Sequence, residues 1–177
     1  RWPGKVKAGS TSGETLCTTD LFATLADILG QRGKLPVTAS EDSFSFLTAL
    51  TGKYSAKPTR PFTIHHSING SFAIRRGPWK LALCPGSGGW SGPKPAVAFK
   101  NKTLPIVQLY NLESDPAEKT NLRDKHPEVV KDLVGKLSKA IRNGRTTPGP
   151  NQSNEGWPNT FSARVLAEYP ALAAPKK

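Results

Sequence analysis

The sequence predicts an α+β chain: an antiparallel sheet of three to five strands with one long packed helix, after a helix-rich beginning. Three observations carry that expectation. Apolar and polar residues alternate through 62–68 and 71–75, with the turn dipeptide Asn69-Gly70 between them. A helical stripe of Val130, Leu133, Val134, Leu137 and Ile141 follows Pro127 and stops at Gly144. A shorter stripe of Leu21, Leu25 and Ile28 begins after the cap candidates Thr18, Thr19 and Asp20, and Gly30 ends it.

Taken in order, residues 1–7 read as the end of a strand running into a turn at Pro3-Gly4. The helix over 19–30 comes next, then a short helix over 44–50. Residues 53–61 are a polar connector containing prolines, and a boundary is expected there. Beyond the hairpin, Gly77-Pro78 turns the chain into a third strand over 79–83. Residues 84–95 form a loop of Gly, Pro and Ser that carries Trp90, and the irregular basic stretch continues to Thr103. A fourth strand over 106–112 closes at the turn Ser114-Asp115-Pro116. After the long helix, 146–177 has the composition of a poorly ordered tail, in which Trp157, Phe161, Val165, Leu166 and Tyr169 can dock as a late helical turn. The expected divisions are therefore 1–60, 61–145 and 146–177.

Charge is unevenly spread. Of the formal +12 on 177 residues, much comes from 43–112, which contains no Asp or Glu but nine cations: Lys53, Lys57, Arg60, Arg75, Arg76, Lys80, Lys94, Lys100 and Lys102. Such a field attracts nucleic acid, anionic lipid or a sulfated polymer, and also suits a merely solvated surface. Nucleic acid is disfavoured, because no aromatic-basic interleaving and no recognition helix accompany the charge. No apolar run approaches the roughly 20 residues that span a bilayer, so no membrane partner is expected. Cys17 and Cys84 are too few for a disulfide framework. The start at Arg1-Trp2-Pro3-Gly4 has no apolar leader and reads as a start inside a longer chain.

Four phrases then fall in a meaningful order. They are Arg1-Trp2-Pro3-Gly4-Lys5-Val6; Thr19-Asp20-Leu21-Phe22-Ala23-Thr24-Leu25; Phe72-Ala73-Ile74-Arg75 with Gly77 and Trp79-Lys80-Leu81; and Gln108-Leu109-Tyr110-Asn111-Leu112 with Asp115-Pro116, Glu118 and Asn121-Leu122. Together they resemble the C-terminal half of the arylsulfatase family, within the alkaline-phosphatase-like superfamily, over roughly residues 1–143. The stretch from His65 to Phe72 is similar to bacterial arylsulfatases and N-acetylgalactosamine-6-sulfatases. Ala23 stands where the family helix usually has Pro, and Asn111 where it usually has Asp.

The resemblance implies that 1–60 is a helical remnant of a large α/β sulfatase domain and that 61–145 is the C-terminal subdomain. It implies a parent that hydrolyses sulfate esters, with calcium and a formylglycine made from Cys or Ser in a Cys/Ser-x-Pro-x-Arg motif. Neither cofactor is expected in this segment. Cys17-Thr18-Thr19-Asp20 lacks the Pro, Cys84-Pro85-Gly86-Ser87-Gly88 has the wrong order, and Lys57-Pro58-Thr59-Arg60 follows Ala56 where the nucleophile should stand. The paired aspartates of a calcium site are absent as well. No catalytic residue is therefore assigned, and the segment alone is expected to be inactive.

Substrate-binding candidates remain. His65 and His66 are adjacent, so a strand should send them to opposite faces, one toward the core. His65, His66 and Asn69 are candidates for lining the rim of a substrate cleft, because the resemblance places this subdomain beside it. Arg75 can pair with an anion, and Trp90 can stack on a sugar ring. Expected partners are the remainder of the sulfatase domain and a sulfated glycan. The alternative from another class is a non-catalytic module that binds sulfated glycans. A periplasmic or secreted location is implied by the resemblance alone.

Overall fold

The computed structural model describes residues 1–53, 57–158 and 161–175. They form two compact units: the described residues of 1–63 with 143–153, and those of 64–142 with the residues from 154 on.

In the first unit, α1 (Asp20–Ile28) buries Asp20, Ala23, Thr24 and Ala26, while α2 (Leu47–Leu50) lies close by. The inner face of α1 is polar. Asp20 accepts two contacts from Arg60 Nη1, at 3.1 and 3.0 Å, and bonds from the backbone N–H groups of Cys17 and Phe44. Thr24 Oγ1 accepts from Phe46 N, and Ser43 Oγ accepts from Ala23 N. The large apolar residues point the other way: Leu21 is 53% exposed, Phe22 51% and Leu29 69%. Residues 1–7 are turns, without the strand expected there, because Lys5 N and Val6 N both bond Trp2 O. The same unit holds Arg145, buried under bonds to carbonyls of Val37, Thr147 and Pro150. Gly149 passes so close that a Cβ there would meet the Arg145 guanidinium.

The second unit is a four-stranded antiparallel sheet in sequence order: β1 (Thr63–His66), β2 (Phe72–Arg76), β3 (Trp79–Ala82) and β4 (Gln108–Asn111). The connection between β1 and β2 is five residues, closed by Ser67 N bonding Ser71 O, with Gly70 left-handed at φ 81°. The register sets Ile74 beside Leu81 and Leu81 beside Leu109, so these three share one face. All three are fully buried. A short helix, α3 (Pro95–Ala98), sits between β3 and β4.

The long helix α4 (Pro127–Asn143) turns Val130, Leu133, Val134, Leu137 and Ala140 inward. Arg76 bonds Asp132 of α4 at 3.0 Å, and Trp79 packs on His126 at 4.9 Å between centroids. Arg76 and Trp79 alternate onto the Ile74–Leu81 face, so α4 covers that face. In 146–177, for which composition predicted poor order, α5 (Ala163–Glu168) is capped by Ser162 Oγ and buries Val165. Phe161 rests on Phe72 at 5.4 Å, and Trp157 Nε1 donates to Leu172 O.

Candidate functional site

Strand parity decides which side chains leave the core. Ala73 lies beside Ala82, Arg75 beside Lys80, Lys80 beside Tyr110 and Ala82 beside Gln108. These residues share the sheet face opposite α4. The two alanines leave room over the floor, and a cleft of about 660 Å³ opens there. That volume lies in the usual range for small-molecule sites, roughly 300–1,000 Å³. His65, Lys80, Tyr110 and Glu118 contribute polar groups to its wall.

Lys80, Glu118 and Tyr110 are each held by a hydrogen bond. Lys80 Nζ donates to Glu118 Oε1 at 2.6 Å. Glu118 reaches that position from a left-handed backbone, φ 55°, rare for a residue with a Cβ. Tyr110 Oη donates to Gln108 Oε1 at 2.7 Å, while Gln108 Nε2 donates to Cys84 O and Gly86 O. Gln108 thereby fastens the 84–93 loop to β4. Gly88, φ 65°, presses the loop onto the hairpin; a Cβ there would stand 2.8 Å from Cys84 Sγ and 3.3 Å from Ser67 Oγ.

Electrostatics follow from this packing. Partial desolvation against the cleft wall first, and then the Lys80 ammonium, hold His65 below its ordinary pKa of 6.5 although its side chain still meets solvent, against an opposing pull from Glu118. Burial and the nearby Glu118 carboxylate push the Tyr110 hydroxyl up. Burial pushes the Cys84 thiol up, outweighing its bond with Ser71, so Cys84 is a poor nucleophile. Cys17, in the first unit, behaves differently: burial raises it, but bonding with Thr19 and the Arg60 charge together hold it low. Among the described cleft residues, fixed hydrogen-bonding groups and one compensated cation surround an open space. Such groups around an open space are chemically suited to orienting a polar ligand.

The candidates drawn from the sequence are distributed as follows. His65 and His66 both line the cleft, and both are exposed. Neither faces the core, contrary to expectation: His65 lies on the open face, and His66 ends the strand beside the Phe72 ring, 6.3 Å away. Asn69 lies in the hairpin turn, its Oδ1 accepting from Ser67 Oγ and Ser71 N. Arg75 shares the cleft's sheet face, and its Nε donates to Gly77 O. Trp90 stands 84% exposed on the loop whose Gly86, Ser87 and Pro93 border the cleft. Sequence reasoning missed Lys80, Tyr110, Gln108 and Glu118. Parity with Arg75 could have found the first three; Glu118 sits in a turn without a period.

No protein-family model matches the chain. Over 137 residues it is 36% identical to an N-acetylgalactosamine-6-O-sulfatase of Bacteroides thetaiotaomicron, which covers 75% of this chain and 24% of that protein. This chain is sulfatase-like. Arylsulfatase K of Homo sapiens is 24% identical over 163 residues, covering 86% of the sulfatase-like chain and 27% of that protein. A solved Bacteroides thetaiotaomicron structure, described under the metabolism of multiple glycosaminoglycans as a 6S-sulf protein, superposes with a TM-score of 0.62. It is 33% identical and covers 79% of this chain and 28% of that one. A structure solved with its substrate D-glucosamine-2-N,6-O-disulfate shares the fold, at TM-score 0.55, 22% identity and coverage of 79% of this chain and 26% of that one. The sulfatase-like chain thus spans about a quarter of the length of the curated relatives it matches.

Among the described residues, no three His, Cys, Asp or Glu side chains come together as a metal site. The cleft carboxylate of Glu118 is already paired with Lys80.

Proposed function

We propose that this chain is the C-terminal portion of a sulfatase whose intact form hydrolyses sulfate esters on sulfated sugars. Its own contribution is a wall of the substrate cleft, and it is inactive alone. The cleft on the open sheet face carries this reading: its walls offer hydrogen-bonding groups and a lysine, and the thiol that lines it, Cys84, is raised rather than activated. A sulfated sugar needs such groups, with cations facing the sulfate and a neutral imidazole and hydroxyls facing the ring. His65, His66 and Lys80 are the contacts in this reading, with Arg75 and Trp90 at the edge and Asn69 shaping the turn that carries the histidines.

The second component of the proposal concerns the first unit. Leu21, Phe22, Leu25 and Leu29 form an exposed apolar face on α1. Its occupant is the larger part of the sulfatase, since the relatives are about four times as long as the matched segment.

Titration of the chain with 6-O-sulfated N-acetylgalactosamine, followed by NMR, tests the cleft reading. Shifts should concentrate at His65, Lys80 and Tyr110; shifts confined to other residues would refute it. In parallel, the chain should show no turnover of an aryl sulfate, and clear turnover would overturn its assignment as a non-catalytic part.

A further inference from the structure

The chain leaves the cleft wall at Pro93 and returns to it at Leu104. Between them lies a projecting lip of unusual composition. Lys94 stands at the N-cap of α3, and Lys100 and Lys102 follow its end. All three are exposed. Arg164 of α5 reaches the same lip, its Nη1 donating to Asn101 O at 3.5 Å and its Nη2 to Lys102 O at 3.3 Å. Trp90 stands exposed just before the lip begins.

The lip cations are not compensated. Elsewhere in this unit Arg76 pairs with Asp132, Lys80 with Glu118, Arg123 with Glu168 and Lys136 with Asp132. Among the described residues, Lys94, Lys100, Lys102 and Arg164 take part in no ion pair. Arg164 spends its bonds on carbonyls, which position the guanidinium without cancelling its charge. Ala98 is fully buried beneath the lip, and a Cβ at Gly86 would sit 3.2 Å from the Ala98 Cβ, so the lip is packed against the fastened loop.

We infer that this lip, Lys94, Lys100, Lys102 and Arg164 with Trp90 at its start, is an extended binding surface for a sulfated polysaccharide chain, one unit of which enters the adjoining cleft. Four uncompensated cations on one rim complement several anionic groups spaced along a ligand, which a single sulfated sugar does not supply. The exposed indole of Trp90, just before the lip in the chain, offers an apolar platform for a sugar ring. The choice of a sulfated glycan rests on the sulfated-sugar reading above. The substrate class is thereby narrowed from a sulfated monosaccharide to a polymer or long oligosaccharide.

The test is binding of the whole chain to chondroitin sulfate, to chemically desulfated chondroitin and to a DNA duplex of matched length. The variants are K100E/K102E, W90A, and K131E/K139E on exposed positions of α4 as a control with the same change in charge. The lip variant should weaken chondroitin sulfate binding roughly tenfold or more and flatten its dependence on salt between about 50 and about 200 mM. W90A should weaken it without changing the salt slope, and the α4 control should have little effect. Equal losses from the control and lip variants would overturn the inference, as would tighter binding to the duplex or undiminished binding to desulfated chondroitin. Polymer binding at the lip without shifts in the cleft on adding the monosaccharide would uphold the lip and count against the cleft reading alone.

Discussion

The two units solve the same problem in opposite ways. In the second, the sheet and α4 enclose a conventional apolar core of Ile74, Leu81, Leu109, Leu133 and Leu137. In the first, α1 turns Asp20 and Thr24 inward and leaves Leu21, Phe22 and Leu25 in solvent. A buried ion pair replaces apolar packing as the organising contact, with Arg60 and Asp20 side chains 3% and 0% exposed. Such a pair fixes geometry well but adds little net stability, because both charges must be desolvated. The second unit therefore closes an apolar core of its own, whereas the first leaves an apolar helix face exposed.

Substitutions that hit one unit at a time sharpen this contrast. Asp20→Ala strands the Arg60 guanidinium in a buried site and should cost the first unit about 3–5 kcal/mol. Hydrogen exchange should show α1 opening while β2–β4 keep their protection. Leu137→Ala removes a fully buried side chain from the other core and should cost about 2–5 kcal/mol there. Denaturant unfolding followed at Trp79 would report it; a loss below about 1 kcal/mol would contradict the assigned core. Leu21→Ser with Leu25→Ser should change stability by no more than about 0.5 kcal/mol per site. It should lower self-association in light scattering, because the face is apolar and exposed.

The smallest effect is a pH dependence. The folded-state pKa of His65 lies below 6.5, so the unfolded chain binds the proton more readily. The second unit should keep its full His65-dependent stability above pH 6.5 and lose it as pH falls through and below that value. His65→Gln should flatten the slope of the denaturation midpoint against pH; an unchanged slope would place its origin elsewhere. Asp132 acts in the same direction at lower pH, since its bond with Lys136 and the nearby Arg76 hold its carboxyl low.

Much of the second unit was legible because its signals are periodic. The alternation in 62–75 and the stripe from Val130 to Ile141 identify elements by the spacing of apolar residues, and the structure places strands and a helix there. The first unit was less legible. Asp20 reads as a helix cap and Arg60 as one member of a basic run; their pairing across 40 residues has no local signature. The cleft was legible in part. Adjacent histidines mark β1, but whether they face a core or an open cleft depends on which sheet face α4 covers. Glu118 owes its place to a left-handed backbone that no sequence pattern announces.

Native-state hydrogen exchange of the whole chain tests the contrast between the units most directly. The amides of β2, β3, β4 and α4 should exchange through global opening of their unit, and those of α1 at least tenfold faster, about 1.4 kcal/mol less protected. Equal protection of α1 and α4 would contradict the account, because the first unit would then be as firmly closed as the second.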